Sequence, residues 1–204
     1  MSLSTWLQQG TLRPRVRAAL AGAAAVLLAA VWFPLWTITM FAGQFPEGIR
    51  MSVFAHKLVG GNNGADIQSI NILNHYIGMQ EIHAASFPEM KWIPFALGLF
   101  LLLSLRTAVF GKVSQLVDLL VLFTYFGLFS LGTFWYRLYT FGHRLSPDAP
   151  VTVEPFTPPV FGHQRIANFD VYSYPGPTTC ALGVFALVLG SLLFLEWRRA
   201  RREA

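Results

Sequence analysis

The sequence predicts an all-α integral membrane protein with four transmembrane helices, at about 18–42, 92–110, 115–140 and 179–197. Two long periplasmic loops, 43–91 and 143–178, would form a small cap with room for a short β-hairpin or strand. Three observations predict this. The 204 residues are 54% hydrophobic and 12% charged, with a mean hydropathy of +0.48, a balance that suits a chain solvated by lipid. Apolar runs long enough to cross a bilayer alternate with polar stretches of very unequal length. Basic residues gather at the ends of those runs, on one side.

Residues 1–17 are short, polar and basic, with Arg13, Arg15 and Arg17 just ahead of an apolar run. That run, Ala18 to Ala42, is about 25 residues, enough for ~37 Å of helix at 1.5 Å per residue. A cleaved secretory leader is the competing reading of a basic start and an Ala-rich core. The run exceeds a usual leader core, and Trp32, Trp36 and Phe41 read as an interfacial belt. Pro34 predicts a kink near the outer end.

Gln44 to Lys91 is polar by contrast, opening with the turn Phe45-Pro46-Glu47-Gly48. Loose period-two patterning over Ile49–Val59 suits a strand. Gly60-Gly61-Asn62-Asn63-Gly64 tolerates positive φ throughout and predicts a turn. Asp66 is placed to cap a short helix with Ile67, Ile70, Leu73 or Asn74, and Ile77 on one side, ended by Gly78.

Trp92–Phe110 is the second span, and Arg106 can snorkel from its inner end. Gly111-Lys112-Val113-Ser114 allows only a tight hairpin before the third span, which ends near Tyr139. His143–Thr179 carries seven prolines and reads as an extended, ordered loop laid over the first excursion. Ala181–Trp197 is the fourth span, closed by Arg198, Arg199, Arg201 and Arg202. With both termini inside, the inner side holds nine of the fifteen Lys and Arg, and the outer loops hold seven of the ten acids. That asymmetry predicts a multi-pass membrane protein with both termini cytoplasmic.

Several function classes fall away. A net charge of +5 without a groove-sized basic patch argues against nucleic acid. The single Cys180, expected as a small buried residue, excludes an internal disulfide and any multi-cysteine metal site. All five histidines fall on the outer side, so haem held between spans lacks its ligands, and no Cys-x-x-Cys-His attaches haem covalently. Hydrolase elbow, phosphate loop and dinucleotide fingerprint are absent, which points to a non-catalytic subunit or accessory protein. Asp118 and Glu196 read as inner-boundary carboxylates, the first pairing with Arg106 or Lys112. A transporter lacks its mid-membrane polar pair.

Two constellations remain. His75, Met79 and His83 are four residues apart, and on a continuous helix they form a ridge of imidazole and thioether suited to copper(I). Packing and turn hydrogen bonds are the ordinary alternative, and Gly78 threatens the ridge. Tyr76, with Phe169, Tyr172 and Tyr174 from the aromatic run Asn168–Pro175, is the candidate docking set, interfacial anchoring being an equal reading of that run. Trp135–Tyr139 reads as an interfacial anchor.

Phe45-Pro46-Glu47-Gly48, Leu73-Asn74-His75-Tyr76-Ile77-Gly78-Met79, Leu116-Val117-Asp118 with Tyr125–Ser130, and Asn168–Pro175 together resemble a family of small four-helix bacterial membrane proteins. That family is associated with gene clusters for nitrous oxide reductase, particularly its atypical form. The resemblance runs from the first span onward and implies a membrane protein of denitrification serving a periplasmic copper redox enzyme. The implied roles are docking or anchoring, copper-centre maturation, or electron supply. Copper handling by the outer His and Met residues, or quinol- or haem-linked electron transfer, is the alternative.

Overall fold

The apolar run that opens at Ala18 divides at Pro34. In the computed structural model, which describes residues 3–166 and 168–202, a short helix α1 (Leu3–Gln9) precedes α2 (Pro14–Ala29), and α2 stops five residues before the proline. Trp36–Ala42 is then not helix but strand β1. Pro34 has no N–H to continue a helix, and the segment after it is aromatic and β-branched with a period of two. Trp36, Ile38 and Met40 face inward while Thr37 and Thr39 face out, a pattern hidden within a uniformly apolar composition.

This overturns the expected all-α, four-helix fold. The chain is 60% helical with 17% in a five-stranded antiparallel sheet, and among the described residues three helices are long and apolar enough to cross a membrane. They are α4 (Glu89–Phe110), α5 (Val113–His143) and α6 (Pro177–Arg202). With 16 residues, α2 reaches about 24 Å, short of the ~30 Å of a hydrocarbon core. It nonetheless packs lengthwise against α4 and α6, burying Val16, Leu20, Ala24 and Leu27.

The sheet order is β3-β2-β1-β5-β4, with β2 (Phe45–Val53), β3 (Leu58–Gly60), β4 (Gly162–Ile166) and β5 (Phe169–Pro175). The expected turn at Phe45–Gly48 is thus the start of a strand. Both polar excursions contribute, β2 and β3 from the first and β4 and β5 from the second, and β5 pairs with β1 in the register Ile38↔Ser173, a strand from the stretch expected as the first span. Between β3 and helix α3 (Ala65–Tyr76), Asn62, Asn63 and Gly64 all take positive φ. Asp66 is buried there but does not cap α3. Its carboxylate accepts from the Arg50 backbone N–H and from Asn62 Nδ2, each at 2.8 Å, tying the turn to β2.

Basic residues gather at the opposite end of the bundle. Leu12 N–H donates to Gly111 O and Val113 N–H to Gly10 O, strapping the α1–α2 link to the α4–α5 hairpin. The Arg17 guanidinium donates to the last carbonyls of α4, Ala108 and Val109. Glu196, buried near the end of α6, pairs with Arg13 at 2.8 Å. Asp118 is exposed on α5 and, among the described residues, pairs with neither Arg106 nor Lys112. Cys180, expected in the interior, lies exposed on α6, because the buried stripe of that helix runs through Thr178, Phe185, Leu189 and Leu192.

Bundle and sheet are joined where α2 ends and α6 begins. Thr178 Oγ1 donates to Phe33 O at 2.8 Å and Ala30 O at 3.2 Å, Thr179 Oγ1 donates to Leu35 O, and Gly176 N–H donates to Leu35 O at 2.8 Å. A side chain on Gly176 would run into the Pro34 carbonyl. Thr178→Val keeps the shape but strands buried carbonyls. Thermal unfolding in detergent is expected to show a loss of about 1–3 kcal/mol, with Thr178→Ser close to wild type.

Candidate functional site

The inner face of the sheet does not close directly onto the bundle. Trp36, Ile38, Ile49, Met51 and Val171 form one apolar surface with Ile70 of α3, Ile82 and Phe141 of α5. Below it lies a chamber of about 1220 Å³, larger than the roughly 300–1,000 Å³ of a drug-sized ligand site. Its walls come from the first turns of α4, the outer half of α5, the start of α6 and the segment 151–158. Among the described residues of α5, none between Phe123 and Phe141 is buried. This half of the helix touches α4 through Trp92 with Phe126 and Phe129 and through Glu89 with Arg137, and it walls the chamber.

The walls are almost wholly apolar and rich in rings: Trp36 packs on Phe134 at 5.1 Å, and Phe87 stacks on Phe141 at 5.9 Å. A lining of this kind suits an apolar molecule.

Glu154, Gln164, Arg165 and Asn168 are among the polar residues that line it, and so are Glu89, Arg137 and Ser130. Glu89, in the first turn of α4, receives Arg137 of α5, with both Nε and Nη2 at 2.9 Å from Oε1. Glu89 Oε2 is buried with no hydrogen-bond partner, and so is the hydroxyl of Ser130, two turns before Arg137 on α5. Ser104 of α4 behaves in the ordinary way for a helical serine, donating to Phe100 O at 2.6 Å. Neither Glu89 nor Ser130 stands out by sequence pattern. What could have marked them was an acid at the start of one span and an Arg late in the next, facing partners only if the two helices are antiparallel.

The proposed copper ligands do not share a ridge. Helix α3 ends at Tyr76, and Gly78 takes φ +76, where a side chain would strike the Ser146 backbone. His75 is exposed, Met79 turns inward to the apolar cluster, and His83 is exposed with Nε2 2.7 Å from Glu81 Oε2. Among the described residues no three His, Cys, Asp or Glu side chains gather to hold a metal ion.

The docking set also divides. Tyr172 and Tyr174 sit on the outer face of the sheet, Tyr172 against Phe41 and His163, Tyr174 against Phe161. Phe169 faces inward and lines the chamber. Tyr76 is exposed at the end of α3 and borders the chamber. On α5, Trp135 stacks on Tyr139 at 5.6 Å, both exposed.

The amides beside the His/Met stretch act on backbone. Asn71 accepts from the Ile82 N–H at 2.7 Å and donates to Ile82 O at 3.2 Å, and Asn74 Nδ2 donates to Gln80 O. They clamp residues 80–82, which carry Ile82 into the chamber wall. No family model, curated protein or solved structure matches this chain. Asn71→Ala leaves both backbone groups of Ile82 unpaired, a loss of about 1–3 kcal/mol. Hydrogen exchange is expected to rise first over residues 77–83, with the bundle helices unchanged.

Proposed function

We propose that this chain is a non-catalytic inner-membrane subunit with both termini in the cytoplasm and its sheet-bearing cap in the periplasm. There it docks a copper redox enzyme and supports that enzyme's maturation or electron supply. The family resemblance points to nitrous oxide reductase as the partner. One observation carries the reading: the molecule is polar along its length. Arg13, Arg15, Arg17, Arg106, Lys112 and Arg198, Arg199, Arg201 and Arg202 cluster at the hairpin end, and the folded sheet stands at the other. Basic residues next to spanning helices are retained on the cytoplasmic side, which supports a periplasmic sheet.

The outer sheet face supports docking. Antiparallel pairing fixes its side chains in rows, with Tyr172 and Tyr174 between Thr37 and Thr39 on β1 and His163 on β4. Aromatic rings held by a rigid backbone lose little entropy on binding and are favoured as interface anchors. No loop has to fold first.

In a Cys180→Ser background, Asn63→Cys is expected to react with a membrane-impermeant maleimide in intact spheroplasts and Lys112→Cys only after lysis; the reverse pattern removes the reading. Mild-detergent purification from the native membrane is expected to carry a periplasmic copper enzyme. Tyr172→Ala with Tyr174→Ala should cut its recovery on the order of tenfold at unchanged membrane abundance. A chain that never retains such a partner ends the docking role.

A further inference from the structure

We propose that the chamber under the sheet is a binding site for a prenylated quinone or quinol. Its ring would lie between Glu89 and Ser130, and its isoprenoid tail along Phe126, Leu131 and Leu182. The proposal deepens the electron-supply side of the reading above, and it rests on that reading's membrane placement but not on docking.

Both ends of the ligand have a counterpart. The volume and the apolar walls suit a long hydrocarbon, and α4, α5 and α6, which frame the chamber, are the three helices long and apolar enough to lie in lipid. The headgroup is selected by what the two orphaned polar atoms can do. Glu89 Oε2 accepts a hydrogen bond and cannot donate one while ionised, so it matches a quinol hydroxyl. The Ser130 hydroxyl either donates to a quinone carbonyl or accepts from a hydroxyl. Ser130 and Arg137 are seven residues apart on one face of α5, about 10 Å along the axis. That is the span of a six-membered ring with a hydrogen bond at each end.

Charge argues against the commonest alternative. At the Glu89 end Arg137 is already neutralised, and the free carboxylate oxygen repels a phosphate or a fatty-acid carboxylate there, while Arg165 and Glu154 line the chamber elsewhere. A neutral, flat, oxygen-bearing ring suits the Glu89 end, and Trp36, Trp92, Phe87 and Phe134 are among the lining rings. Phospholipid as a mere filler is the outcome to exclude.

The full-length chain, purified in mild detergent, is extracted with hexane, and quinone is quantified from the ultraviolet change on borohydride reduction. It is also titrated with decylubiquinone by quenching of tryptophan fluorescence, since Trp36 and Trp92 line the chamber. About one quinone per chain and saturable quenching are expected. Ser130→Ala is expected to weaken binding about three- to tenfold, the loss of one neutral hydrogen bond. Gly127→Leu and Gly183→Leu, at lining positions with open space around an added Cβ, are expected to weaken it more than tenfold at unchanged circular dichroism. Phospholipid retained without quinone, non-saturable quenching, or equal affinity in all three variants overturns the proposal. A chain that binds quinone but never carries a partner enzyme defeats docking alone. A partner recovered with a chain that binds no quinone defeats this site alone.

Discussion

Everything above the helices depends on how the backbone is satisfied between Ala30 and Leu35. A helix that stops leaves carbonyls without partners, and a helix that stops against lipid cannot give them to water. Here the start of α6 supplies the donors. Thr178 reaches Ala30 O and Phe33 O, while Gly176 and Thr179 reach Leu35 O. With those groups paired, the chain can leave the helical path at Pro34 and enter β1 at the centre of the sheet. The same contact fixes the end of β5, because Pro175 pairs with Trp36 directly across the ladder.

A chamber follows from that geometry. The junction anchors one side of the sheet over α2 and α6, whereas α5, at 31 residues and about 46 Å, continues past the level where α4 begins. Between the anchored side and the long helix the elements diverge. The sheet's inner residues meet Phe141 and Phe134 on that side and Ile70 of α3 on the other part of the face. Glu89 and Arg137 close the divergence from α4 to α5. Their pair leaves one carboxylate oxygen buried and free, the condition in which a polar group commonly serves a ligand.

The His/Met stretch shows how one backbone feature changes the meaning of a sequence pattern. Spacings of four put His75, Met79 and His83 in line only while the helix lasts, and Gly78 with its positive φ ends it. The neighbouring amides, Asn71 and Asn74, are explained instead by the backbone they hold at Gln80 and Ile82. The clamp is made by the amides Asn71 and Asn74, and the polar pair that lines the chamber, Glu89 with Arg137, lies elsewhere.

By itself the sequence determined what local chemistry can determine. Apolar length set the spans of α4, α5 and α6, glycine and asparagine set the turn at 62–64, Gly111 the hairpin, and the arginine clusters the two unlike ends. Tertiary structure decided whether Trp36–Ala42 is helix or strand. An apolar run bounded by proline has no internal preference strong enough until β2 and β5 supply its hydrogen bonds. It likewise decided the five-stranded sheet, the outward turn of Cys180, and the meeting of Glu89 with Arg137 across 48 positions. Strand pairing and cavities are made by residues far apart in the chain, and composition reports only how greasy each stretch is, not which stretch it will face.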